Sequence, residues 1–271
     1  MAEFREHMQP LTQCQRVITH GGDQPNVIPK MASIWWYFRG STAAAAQQVF
    51  ERAKKIAEGA ALMTNTTFTV EVQSAVWPVR GNETLAMLAQ SEMERLGAPL
   101  WNAEEESLAR ALQQKAGVNI TGLASHVRPM KGPATQRPAA NDAGDVSWKV
   151  PMAKIYFPSN IPGISYHHWT AGVALATSIA HKGALAGANV IANCVLECFS
   201  NPDLVARAKE TFATEIAGAP WSSLLPPDQK PPLALNRATM DRFRPAMRER
   251  YLKVRPRFIQ SDSAGGEHEI G

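Results

Sequence analysis

Cysteine is scarce: three thiols in 271 residues, at positions 14, 194 and 198, with no CxxC pair and no zinc-ribbon spacing. A disulfide framework and a cysteine-built zinc site are thereby excluded. Cys194 and Cys198 lie four apart in an apolar helical stretch and read as small buried residues, so reducing, cytoplasmic conditions fit. No basic-then-apolar leader opens the chain, and no run reaches the roughly 18 charge-free apolar residues of a membrane helix. The longest candidate, residues 169–180, is short and rich in Ala and Thr. No membrane contact is expected. The sequence has no GxGxxG, Walker, HExxH or GxSxG pattern, so dinucleotide binding, nucleotide hydrolysis and the common serine-hydrolase route have no support. A dense basic block is missing too: 28 basic and 24 acidic residues give a net charge of +4. Residues 242–257 come nearest, with seven basic side chains and one acidic one. That tail reads as a solvated surface or a contact with another chain segment; no nucleic-acid partner is expected.

What is present suffices for one large domain or two modest ones, since 45% of the chain is apolar. Residues 2–8 read as the last turns of a helix. Residues 15–20 and the aromatic run at 31–39 read as strands. Residues 42–62 carry Ala45, Val49, Ala53, Ile56 and Ala60 at helical spacing, with Ser41 or Thr42 as N-cap. Alternation at Phe68, Val70 and Val72 predicts a third strand over 67–79. Strands joined by an amphipathic helix within about 80 residues predict an α+β sandwich of ferredoxin-like type. Beyond residue 82, helices are expected over 82–96, 102–115, 170–199 (with a break at 181–183) and 203–216, and a strand over 150–157. The Pro/Gly-rich stretch 117–144 has no periodicity, and residues 261–271 read as a frayed end.

His20 leads the turn HGGDQPNVIP, where it can orient a substrate carbonyl or carboxylate, or simply sit at the surface. Asn26 and Arg39 pose the same alternative; a guanidinium suits a bidentate carboxylate. His167 and His168, before a helix start, read either as metal ligands or as packed, hydrogen-bonded imidazoles. Asp145 in GDVSW is a candidate to orient an imidazole, or a helix cap or turn residue. His181 contacts solvent or backbone at the expected helix break.

Six stretches, HGGDQPNVIP, WWYFRG, ERAKKIAEGAALMTNT, GDVSW, GISYHHW and SIAHKG, in this order and at consistent spacing, resemble the M20 metallopeptidase and amidohydrolase family. The likeness is strongest to the group that uses p-aminobenzoyl-glutamate, and it runs from about residue 4 to residue 232. The resemblance implies a lid and dimerisation domain over 1–81 and the C-terminal part of an α/β catalytic domain over 82–271. It implies a homodimer formed through the lid, a small N-acyl amino-acid amide as substrate, and divalent metal, zinc, in the intact enzyme. His20 falls on the lid histidine that stabilises the oxyanion in the partner subunit's site, and Asn26 and Arg39 fall on substrate-side residues. His167, fourteen residues before His181, falls on the last metal ligand, with His168 as its rival and Asp145 behind them.

The family's His-x-Asp pair, bridging Asp, Glu-Glu pair and further acidic ligand precede the lid and have no counterpart here. The Glu104-Glu105-Glu106 run follows the lid and starts a helix, so it does not replace the Glu-Glu pair. One histidine cannot hold a catalytic metal pair. Three explanations are open: a split enzyme whose N-terminal segment is a separate partner, a fragment of a full-length hydrolase, or a degenerate homologue kept as an interaction module. In each, a sheet edge and an apolar face are expected to lie uncovered.

Overall fold

The computed structural model describes residues 3–130, 132 and 141–252. Two compact units divide the chain, Met1–Leu225 and Pro226–Gly271.

A 3-10 helix, Glu3–His7, opens the first unit where helical turns are expected. Strands β1 (Gln13–His20) and β2 (Ser33–Arg39) pair antiparallel, with Gln13 opposite Arg39, Val17 opposite Trp35 and Ile18 opposite Ile34. The register slips between Ile18 and His20, which pairs with Ser33; such a bulge re-aims the side chains beside a turn. Helix α1 (Ala43–Met63) follows. Thr42 caps it, its hydroxyl accepting from the Ala45 N–H at 3.0 Å. Gly40 has to be glycine, because a Cβ there would lie 2.5 Å from the Ala46 nitrogen. Trp36 stacks on Phe38, and Phe38 meets Phe50 of α1, which fixes the face of the ribbon that the helix covers. On the other face Val17, Trp35 and Tyr37 are exposed.

Mixed α and β structure holds as expected, but the third strand does not form: residues 67–79 join no ladder among the described residues. Their alternation marks two unlike faces, whereas a strand exists only through hydrogen bonds to a neighbour. The same correction applies to residues 150–157, which also lack a ladder.

Helices α2 (Glu83–Leu96), α3 (Ala103–Ala116), α4 (Ala143–Ser147), α5 (Trp169–Leu175), α6 (Ser178–Ser200) and α7 (Pro202–Glu215) make up the rest of this unit. Asn82, 2% exposed, is a three-way tie. Its Oδ1 caps α2 at the Leu85 N–H, its Nδ2 donates to the Ala208 carbonyl of α7, and its N–H donates to the Met152 carbonyl. The helix break falls at Ala176–Thr177, five residues before the expected 181–183. Gly183 looks like a breaker but serves close approach: a Cβ there would run into the Pro158 carbonyl, and one at Gly187 would lie 2.5 Å from the Phe157 ring.

Ala109, Leu112, Leu123, Ile161, Ile164, Ala171, Ala174 and Ile179 form the core, with Trp101, Ala116 and Val118 against it. Fully buried Gln113 pins the start of the Pro/Gly-rich stretch to this core. Its Oε1 accepts from the Thr121 and Gly122 N–H groups, and its Nε2 donates to the Gly122 and Pro162 carbonyls. Residues 131 and 133–140 of that stretch lie outside the described residues, as do 261–271 and the end of the basic tail.

By length and composition α6 is apolar enough to cross a membrane, although Lys182 and Glu197 lie in it. It buries Ile179, Ala180, Gly183, Gly187 and Val190, and exposes Leu185, Ile191, Val195, Leu196 and Phe199. Cys194 and Cys198 are half-buried rather than buried, and no disulfide joins them. The second unit contains helix α8 (Arg237–Leu252), with Pro245 inside it.

Candidate functional site

The bulged end of the ribbon presents His20, exposed, beside a turn in which Gly22 takes φ +96° over the Pro29 ring. Asn26 is exposed in the same turn. Arg39 is half-buried at the opposite end of the ribbon, its guanidinium 5.8 Å from the Tyr37 ring centroid. Arg39 lies six positions along β2 from Ser33, the partner of His20, a backbone span of roughly 20 Å at about 3.3 Å per residue.

The paired histidines differ in employment. His168 is the N-cap of α5: its Nδ1 lies 2.7 Å from the Thr170 hydroxyl and 3.4 Å from the Thr170 N–H. Thr170 itself is fully buried, so the cap anchors the helix start in the core. His167 is exposed and makes no hydrogen bond to the described residues, which leaves both ring nitrogens accessible. His181 is exposed in the first turn of α6.

Asp145 lies in α4, half-buried, and its Oδ1 accepts from the Trp221 indole N–H at 2.7 Å. Around it stands a tryptophan hub that the motif reading missed. Trp77 and Trp148 meet at 4.5 Å between ring centroids. Trp77 donates to the Ser222 carbonyl and Trp148 to the Pro78 carbonyl, each at 2.8 Å. Lys149 stands 4.0 Å over the Trp221 ring and Arg80 4.6 Å over Trp148. Gly144 makes the arrangement possible, since a Cβ there would collide with the Trp77 carbonyl. The hub joins residues 77–80, α4 and 221–222, which are far apart in sequence. Trp77, Trp148 and Trp221 carry no local signal that brings them together.

A second missed contact holds α3 to α6. Asn102 and Glu105 form a reciprocal capping box at 2.8 and 2.9 Å, a pattern readable in the sequence NAEE. Glu105 also accepts from Ser178 at 2.6 Å and from Lys182 at 2.8 Å. The Lys182 ammonium, then the Ser178 hydroxyl and the Asn102 N–H, hold the Glu105 carboxyl well below the usual range, at about 2. Lys182 belongs to the SIAHKG stretch, so that motif carries a structural role. Elsewhere, burial pushes the Cys194 thiol up.

Among the described residues no group of three or more His, Cys, Asp or Glu side chains could hold a metal ion. The described side chains do not fit a divalent metal pair; His167 is exposed, with no hydrogen bond to the described residues.

No family model matches the chain. It is 29% identical over 254 residues to the B-type component of p-aminobenzoyl-glutamate hydrolase of Escherichia coli (strain K12), an alignment that covers 84% of this chain and 53% of that protein. It is 24% identical over 219 residues to Xaa-Arg dipeptidase of Homo sapiens and 23% over 217 residues to the Mus musculus protein of that name. Each covers 80% of this chain, against 43% and 44% of the relative. The chain spans about half the length of the curated relatives it matches. The resemblance read from the six motifs is borne out, and the relatives are hydrolases.

Proposed function

We propose that this chain is the lid and C-terminal part of a metal-dependent amidohydrolase, working on an N-acyl amino acid such as an aminobenzoyl-glutamate. The observation that carries the reading is the aligned likeness to the Escherichia coli p-aminobenzoyl-glutamate hydrolase component, over most of this chain but only 53% of that protein. In this reading a further polypeptide segment supplies the ligand set. His167 contributes one imidazole to zinc, and Asp145, held by Trp221, steadies its surroundings. His20 and Asn26, exposed at one ribbon end, approach a substrate carbonyl in a partner subunit's site, where an imidazole N–H can stabilise a developing oxyanion.

Two surface features agree with a missing partner segment. The apolar face of α6 from Leu185 to Phe199 is exposed. Residues 67–79 and 150–157, read as strands in the sequence, join no ladder among the described residues. Such faces and edges are a liability unless covered.

The isolated chain is therefore expected to release no glutamate from p-aminobenzoyl-glutamate after zinc loading. Turnover by the purified chain, lost in His20→Ala, would show that it is complete as an enzyme. A second reading, a non-catalytic module that dimerises through the ribbon, is favoured by the exposed Ile34, Trp35 and Tyr37 on β2. Both readings expect a dimer, so complementation separates them: a stable dimer with no gain of activity beside any N-terminal hydrolase segment supports the module.

A further inference from the structure

We infer that α8 is a peripheral contact for an anionic phospholipid surface. The inference stands on the second unit alone and is independent of the hydrolase reading. At 100° per residue, Met240, Phe243 and Met247 fall in one stripe about 60° wide. Arg250 borders that stripe on one side, and Arg237, Arg244 and Arg248 border it on the other. Pro245 and Glu249 lie on the far face. Phe243 is 50% and Met247 38% exposed, while Met240 is half-buried. Arg242 lies over the Phe243 ring at 5.2 Å.

The basic side chains within α8 are five arginines and no lysine, against Asp241 and Glu249. Guanidinium forks match phosphate oxygens bidentately and are weakly hydrated, and their stems lie along apolar surface while their heads reach outward. A narrow apolar stripe bracketed by arginines, in a helix of low net hydrophobicity, suits the plane between acyl chains and phosphates. Lys253, Arg255 and Arg257 continue the run in the sequence. A nucleic acid would use the arginines and leave the Met/Phe stripe idle. An acidic protein groove would use both, but it gains nothing from arginines lying on either side of the stripe at one level, where a phosphate layer does.

Flotation of the full chain with vesicles of phosphatidylcholine and phosphatidylglycerol in equal parts, against pure phosphatidylcholine, tests this. Binding is expected to the anionic vesicles only, and to be lost at about 1 M salt, where screening acts within a few ångströms. Two double variants, Phe243→Ser/Met247→Ser and Arg244→Ser/Arg248→Ser, should each weaken it about tenfold or more at unchanged helicity. A control on exposed α7 residues, Arg207→Ser/Lys209→Ser, should bind as the parent does. Equal binding to both vesicles, no binding, or α8 variants that bind like the parent would overturn the inference. Loss with the arginine variant alone would also overturn it, because it would mark a polyanion site without acyl contact.

Discussion

At the scale of single residues, the histidine pair shows how two identical side chains divide labour through geometry. His168 spends Nδ1 on the start of α5, and only a neighbour that is not needed as a cap is left free. His168→Ala is therefore expected to cost about 1 kcal/mol of stability, and His168→Asn, a good cap, to restore most of it. His167→Ala should leave stability unchanged. Urea denaturation of the three variants checks this, and equal losses from His167→Ala and His168→Ala would contradict it. Gln113 is more sensitive still. Its removal orphans the N–H groups of Thr121 and Gly122 inside the core, so Gln113→Ala should cost roughly 2–4 kcal/mol. A shift of the urea midpoint with unchanged slope is the expected readout.

Between elements, Glu105 sets the acid response of the α3–α6 contact. Its folded pKa of about 2 lies below the ordinary carboxylate value, so the unfolded chain takes up the proton first. The stabilisation is fully present above the unfolded value, about 4.3. It is lost as pH falls through that value towards 2. Thermal melts from pH 6 to pH 2 should show a falling transition, flattened in Glu105→Gln; parallel curves for both proteins would refute the assignment.

The α1, α2, α3 and α7 helices were legible because their periodicity and caps are local: Thr42, Asn82, Asn102 and Asn201 all accept from the first turn as their residue types suggest. The lack of a ladder over 67–79 and 150–157 was not, because pairing depends on a partner that alternation cannot report. The break near Gly183 was misplaced because glycine there answers a backbone approaching from residues 157–158, not a turn. The exposed turn that carries His20 and Asn26 was legible from its two glycines. The Trp221–Asp145 bond was not, since 76 positions separate its partners.

For the whole molecule, we propose that this chain carries the lid and the final histidine of a hydrolase whose other metal ligands come from elsewhere. Its likeness to relatives about twice its aligned length, the exposed face of α6 and the lack of a ligand cluster among the described residues point the same way. A lone exposed imidazole binds zinc weakly, because affinity comes from several ligands held in one geometry. The most direct measurement is zinc per chain after loading and extensive dialysis, for the parent and for His167→Ala. Well under one zinc per chain is expected in both proteins. One or two tightly held zinc ions in the parent, lost in His167→Ala, would contradict it and show that the chain assembles a complete metal site by itself.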